Sequence, residues 1–326
     1  MGRTLRADLC QHHTDDPDST TIIYNQPVLS GTMKKLGQLA QAYRVEDGKP
    51  FRLKDFDPAD TGKMRSKEHA AAALQRSIDQ LRDLQDKLYA QDQWAVLLIF
   101  QGMDAAGKDS TIKHVMSGVN PQACQVYSFK TPSEEELNHD YLWRTTQRLP
   151  ERRRIGIFNR SYYEEVLVVR VHADILQQEK VPRSLTGKQI WKERFEDICG
   201  FERYLSRNGI MICKFFLNLS KEEQSKRFLA RLEEPEKNWK FSAADIHERK
   251  YWDEYMAAYE DMIRNTATPT APWYVVPADH KWFTRLVVAA TIVGTLEKLD
   301  LSYPKAEPQR RKELEQARKL LEEGKL

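Results

Sequence analysis

The chain of 326 residues has only four cysteines, Cys10, Cys124, Cys199 and Cys213, and no two of them form a CxxC pair. That excludes a zinc site built on paired thiolates and favours a reducing compartment over a disulfide scaffold. No apolar run approaches the ~20 residues that a membrane helix needs. The N-terminal stretch MGRTLRADLCQHHTDDPDSTT lacks the apolar centre of a signal peptide, and Arg6 breaks the myristoylation pattern that Met1-Gly2 begins. An excess of one charge sign is missing too. A net charge of +3 gives no bulk attraction to nucleic acid, so any basic site must be local. These absences make the expectation a cytoplasmic protein with neither a membrane nor a nucleic-acid partner.

What is present reads as an α/β domain. Residues 1–30 are polar and aperiodic and are expected to be a flexible tail. From Ser66 onward, Leu74, Ile78, Leu81, Leu84 and Leu88 recur every three or four residues, which predicts a helix with one apolar stripe. WAVLLIF (94–100) then reads as a strand buried on both faces. QVYSF (125–129), IGIF (155–158), IMICKFFLN (210–218) and WYVVP (273–277) are further strands. A helical segment is expected from Ser133 to Leu149, and a capping box at Ser220-Lys-Glu-Glu223. Strands alternating with helices predict a parallel sheet. The interval between Arg170 and Ile210 is too long for a simple crossover, so a helical lid is expected at about residues 172–208. One domain spans 31–305, and 306–326 reads as a charged surface helix.

The stretch FQGMDAAGKDST (100–111) carries the chemistry. Gly102-x4-Gly107-Lys108 follows a predicted strand and opens a predicted helix, the context that a phosphate loop requires. Glycines let backbone N–H groups turn inward, the helix N-terminus adds partial positive charge, and Lys108 adds a full one. Gly102, Ala105, Ala106, Gly107 and Ser110 are therefore candidate phosphate-binding positions. Two carboxylates depart from the usual pattern. Asp104 inside the loop would repel phosphate unless a cation lay between them, which makes it the candidate ligand for Mg²⁺. Asp109 stands where a hydroxyl residue usually follows the lysine. It is counted with the loop but reads as pointing outward on the first helical turn, where a negative charge suits the dipole.

IGIF ends in Asn159-Arg160-Ser161. Asn159 lies where phosphate-loop kinases place a second metal-binding acid, and Arg160 is positioned to stabilise charge on a transferring phosphoryl group. Arg152, Arg153 and Arg154 lie at the other end of that strand and read as a solvated turn. In RFLARLEEPEKNWKFS, Arg227 and Arg231 share a helix face, and Lys237 and Lys240 flank Trp239. That set is either an exposed helix face or a positive groove for a long polyanion.

Several runs together carry a resemblance. FQGMDAAGKDSTIKHVMSGVNP, PSEEELNHDYLWR, IGIFNRSYYEEVLVVRVH, KFFLNLSKEEQSKRFLAR and YEDMIRNTATPTAPWYVVPADHKWFTRL are similar to the second family of polyphosphate kinases over roughly residues 35–305. Within that family the pattern most resembles class III, which acts on nucleoside mono- and diphosphates. The resemblance implies a phosphate-loop kinase fold like thymidylate kinase, with a parallel five-stranded sheet flanked by helices and a helical lid. It implies Mg²⁺-dependent transfer between inorganic polyphosphate and nucleotides, AMP to ADP and ADP to ATP, by a homo-oligomer, often a tetramer. Residue by residue, it places the loop acid on Asp104, the loop lysine on Lys108 and the third-strand pair on Asn159 and Arg160, where many relatives carry aspartate in place of Asn159. It places a lid arginine on Arg194, with Arg183 as a further match, and a polyphosphate-facing helix on Arg227 and Arg231. The nucleoside is then expected near Asp140, Trp143, Arg144 and Glu164, although Tyr and Trp in HDYLWR also suit a core. Either Glu164 or Glu165 faces the site, and the sequence leaves that choice open.

Two other readings fit parts of the pattern. An ATP-dependent nucleotide kinase of the thymidylate kinase type shares the loop and the fold. A non-catalytic nucleotide sensor or nucleic-acid-binding module is disfavoured by the near-neutral charge and the lack of a nucleic-acid motif.

Overall fold

The computed structural model describes residues 37–64 and 66–324. The expected tail over 1–30 lies outside the described residues, as does Cys10.

Six strands form one sheet: β1 (Arg44–Val45), β2 (Ala95–Gln101), β3 (Cys124–Ser128), β4 (Ile155–Asn159), β5 (Ile210–Asn218) and β6 (Trp273–Pro277). Their order is β1-β6-β5-β2-β4-β3. The five expected strands are all present and all parallel. The sixth, β1, is a two-residue edge strand that pairs antiparallel with β6. It is too short to show a periodicity, so the sequence does not signal it.

Each face of the sheet is covered by helices. On one face, Val96, Leu98 and Phe100 of β2 pack with α1 (Lys67–Gln91), α2 (Lys108–Val115) and α6 (Lys281–Leu296). Ser66 caps α1 by accepting from His69 N–H, and the expected stripe buries Ile78, Leu81 and Leu88. On the other face, Leu97 and Ile99 pack with α3 (Ile190–Arg207) and α5 (Trp252–Thr266). The remaining long helices are α4 (Lys221–Glu233) and α7 (Pro308–Glu322), and α7 is exposed along its length.

Three local expectations change. The segment 133–149 is not one helix. It is two short turns of helix, Glu134–Leu137 and Trp143–Thr146, separated by a turn in which Asp140 Oδ1 accepts from Leu142 N–H. The complete capping box belongs to Ser133 and Glu136. At Ser220 only one arm forms: Ser220 Oγ accepts from Glu223 N–H, while Ser220 N–H donates to Asp279 and the Glu223 carboxylate is taken by Arg227. Of the segment expected as a lid, α3 carries Phe195, Ile198 and Leu205 into the core. A covering role is therefore open only to residues 172–189. Among the described residues no helix is long and apolar enough to cross a membrane.

Candidate active site

The C-terminal ends of β2, β3 and β4 meet where the sheet order reverses, the place where open α/β sheets bind ligands. The loop after β2 is forced into shape by its neighbours. Gly102 takes φ +151, and a Cβ there would lie 3.0 Å from the Leu217 carbonyl oxygen. Gly107 takes φ +99 as the loop turns into α2. Two non-glycine residues, Ala105 and Arg160, are also left-handed, with φ of 65 and 64. Such backbone persists only where surroundings hold it, and it concentrates at functional sites.

Those surroundings come largely from α4. Arg227 uses all five of its donors. Nη1 donates to Ala105 O and Ala106 O at 2.9 and 3.1 Å, Nη2 to Ala278 O and Asp279 O at 2.6 and 3.0 Å, and Nε to Glu223 at 2.9 Å. Its side chain is 7% exposed. Gln224, also buried, donates to the Asp104 carbonyl at 2.9 Å. Arg227 was expected on the polyphosphate path. It has no donor left for a phosphate and instead clasps the loop from behind. A helical (i, i+4) pairing with Arg231 is visible in sequence, but the five carbonyl and carboxylate partners lie far away along the chain.

Inside the loop, Lys108 Nζ donates to Gly102 O at 2.6 Å and Met103 O at 3.3 Å. Burial first, and Arg160 second, pull its ammonium down to about 8. Asp104 Oδ1 accepts from Arg160 Nη2 at 2.7 Å, and Arg160 Nη1 donates to Glu164 at 3.0 Å. The two acids, Glu164 foremost, hold the guanidinium firmly charged. Ser110 Oγ turns back to Gly107 O at 3.1 Å. Asp109 does not simply point outward: it accepts from the Asn159 amide, so the two departures from the usual motif bind each other.

Two cavities flank this chain of charges. A larger one, of ≈ 940 Å³, is lined by the loop residues from Asp104 to Ser110, by Asn159, Arg160 and Arg231, and by three lysines, Lys226, Lys237 and Lys281. Arg231 pairs with Asp245 at 3.3 Å and is only half-buried, so part of its guanidinium stays available. Lys226 and Lys281 were missed because each lies in an unremarkable helix pattern and reaches the cavity only once α4 and α6 converge. The smaller cavity, of ≈ 550 Å³, is lined by Asp140, Arg144, Glu164, Glu165, Glu179 and Arg194 among others. Phe129, Lys130 and Arg160 line both.

Four expected residues are therefore repositioned. Arg194 lies in the smaller cavity, where its Nε donates to Glu165 at 3.0 Å, away from the phosphate loop. Arg183 is exposed on a short 3-10 turn and lines neither cavity. Trp143 stacks on His139 at 4.1 Å and is not a lining residue, although its neighbours His139 and Tyr141 are. Arg144 does line the cavity, but its Nη1 donates to Lys130 O at 2.7 Å. The open choice between Glu164 and Glu165 resolves as both.

The arrangement can hold one polyanion along the lysine-rich cavity and a second ligand in the mixed cavity, with their ends meeting at Arg160. Arg231 is the cation on that path whose loss can be read by chain length. Arg231→Ala is expected to raise KM for long polyphosphate severalfold more than for short oligomers. Steady-state kinetics on size-fractionated chains checks this, and equal effects on both would take Arg231 off the path.

The sequence profile of "Polyphosphate kinase 2 (PPK2)" matches residues 64–304. The chain is 57% identical over 282 residues to an ADP-polyphosphate phosphotransferase of Rhodopseudomonas palustris, covering 84% of this chain and 98% of that one. It is 45% identical over 269 residues to an AMP/ADP-polyphosphate phosphotransferase of Meiothermus ruber, covering 81% and 96%. Among solved structures, polyphosphate kinase 2 from Arthrobacter aurescens TC1 matches with a TM-score of 0.76 at 39% identity, covering 82% of this chain and 92% of that one. With a phosphate loop, a lysine-lined cavity and a second pocket meeting at Arg160, and with this similarity over most of its length, the chain belongs to the polyphosphate kinase 2 family.

Proposed function

We propose that this protein moves phosphoryl groups between inorganic polyphosphate and nucleotides, making ADP from AMP and ATP from ADP, and running reversibly. The observation that carries this reading is the pair of chemically different cavities that share Arg160. The lysine-rich one suits a chain of phosphates. The other combines apolar walls with a few polar groups, which suits a nucleoside. The names of the relatives agree with it, and no specific observation favours an ATP-dependent nucleotide kinase.

The nucleophile is the terminal phosphate oxygen of the nucleotide, already ionised at neutral pH. A strong general base is unnecessary, so catalysis rests on alignment and charge neutralisation. Lys108 and the loop N–H groups hold the donor phosphates. Arg160 faces both cavities and neutralises charge on the phosphoryl group in flight. Among the described residues no three His, Cys, Asp or Glu side chains converge as a metal cage. Asp104, half-exposed beside the loop, nevertheless fits Mg²⁺, which is commonly held by one or two carboxylates together with substrate phosphates and water. When bound there, Mg²⁺ supplies Lewis-acid neutralisation of the phosphate oxygens.

Assembly into a homo-oligomer belongs to the same reading. It is supported by the edge strand β3, whose Val126 is 53% exposed, and is checked by sedimentation velocity. The free thiols of Cys124, Cys199 and Cys213 suit a cytoplasmic setting. The functional test offers Mg²⁺ and polyphosphate with AMP or ADP separately and no ATP. ADP from AMP and ATP from ADP are the expected products. Phosphorylation of AMP by ATP but not by polyphosphate would reject the reading.

The Lys108 ammonium gives a pH dependence. Only its charged form attracts phosphate, and its value sits near 8 in the free protein. The KM for polyphosphate is therefore expected to rise as pH increases above about 8, with Lys108→Ala flat over the same range. A parallel rise in the alanine variant would assign the effect to another group.

A further inference from the structure

The smaller cavity holds polar groups that phosphoryl transfer does not use. Glu165 is 4% exposed, and its Oε1 accepts from Arg194 Nε at 3.0 Å. Glu179 approaches the same guanidinium, with Oε2 3.8 Å from Nη2. Arg194 lies over the Tyr141 ring at 4.4 Å, and the Tyr141 hydroxyl is buried without a hydrogen-bond partner. All four residues line the cavity, among apolar walls that include Phe129, Val168 and Ile175.

Two buried carboxyls thus share one guanidinium. Arg194 neutralises one negative charge, and the other is relieved most cheaply by a proton. Burial first, and the charge of Glu179 second, push the Glu165 carboxyl up to about 8, and burial raises Glu179 as well. The charged and titratable groups around Glu165 come from three elements. Arg194 and Asp197 belong to α3, Glu179 to the turn after residues 173–178, and Tyr141, Asp140 and Arg144 to the segment after β3. On its own segment, Glu164 is occupied by Arg160 and Gln101.

A protonated carboxyl presents an O–H donor beside a C=O acceptor. Adenine presents the complement, a ring N1 acceptor beside the 6-amino donor. Guanine presents two donors, N1–H and the 2-amino group, which a carboxylate matches and a carboxylic acid does not. We propose that Glu165 reads the base, its acid form donating to adenine N1 and accepting from the 6-amino group, so that the protein selects adenine nucleotides over guanine nucleotides. Arg194 and Glu179 act as positioning residues for that carboxyl. The inference rests on the reading of this cavity as the nucleoside pocket.

The test compares kcat/KM for ADP and GDP as acceptors from pH 6.5 to 8.8 in wild type, Glu165→Gln and Glu165→Ala. The ADP/GDP ratio cancels the titration of Lys108 and of the phosphates, which both acceptors share. In wild type the ratio is expected to fall about tenfold as pH rises through about 8. Glu165→Gln, whose amide also sets a donor beside an acceptor, should keep a high ratio that no longer depends on pH. Glu165→Ala should bring the ratio close to one throughout. A wild-type ratio that is flat with pH, or one unchanged in the variants, overturns the proposal. If the alanine variant does not fold, the wild-type profile and the glutamine variant decide it. If neither diphosphate accepts a phosphoryl group, the phosphotransfer reading has failed. Equilibrium dialysis of ADP against GDP then tests base reading alone: preference for ADP lost in Glu165→Ala supports it, and equal binding overturns it.

Discussion

Asp104→Asn is expected to lower phosphoryl transfer by about three orders of magnitude while leaving the melting temperature within a few degrees of the parent. The substitution keeps the shape and removes the charge. Asp104 is on the surface of the cavity, with its side chain 31% exposed, and no part of the core rests on it. Arg160 retains Glu164 at 3.0 Å, so it is not left unpaired. What disappears is the carboxylate that would carry Mg²⁺ between phosphates and that tethers Arg160 at 2.7 Å. Both losses fall on the charge-neutralising arrangement that the transition state needs, so kcat should drop more than KM rises. Single-turnover rates with polyphosphate and ADP, alongside a thermal melt, read the two effects separately. A variant with near-normal turnover would remove Asp104 from the reaction.

Arg227→Ala is expected to fail by a different route. The guanidinium satisfies four backbone carbonyls and Glu223, and removing it leaves those acceptors unmatched beside the loop. Breaking a buried charged network of this kind costs about 3–5 kcal/mol, which for a domain this size lowers the melting temperature by about 10 °C. The loop that presents Ala105 in a left-handed conformation loses its backing, so turnover should fall with short and long polyphosphate alike. Arg227→Lys should not rescue it, because one ammonium cannot reach five acceptors arranged in a fork. Calorimetry together with chain-length kinetics distinguishes this from a phosphate contact. A stable variant with a selective loss on long chains would return Arg227 to the channel. Its helix neighbour Arg231, four residues on, carries the opposite expectation, which is why the two should not be mutated together.

The parallel strands, the phosphate loop and the placing of Asn159 and Arg160 at a strand end were legible because each rests on local chain properties. Unbroken apolar runs mark strands buried on both faces, and glycines spaced around a lysine mark a turn into a helix. The two-residue β1 strand left no such mark. Nor did the break inside 133–149, where a side-chain turn at Asp140 interrupts an otherwise helical composition.

The sequence by itself determined the order of strands and helices, the phosphate loop and the residues at its lip, since period and turn chemistry are written in near neighbours. It also determined the family, through long motifs that survive in order. Only the tertiary structure decided what each arginine does. Arg227 and Arg231 share a helix face, yet one is sealed against backbone carbonyls of two distant loops and the other faces open space. Arg194 answers to Glu165 and Glu179 because α3 packs where it does. A long cationic side chain takes its role from whichever acceptors the fold brings within reach, and those partners are set by packing between elements remote in the chain.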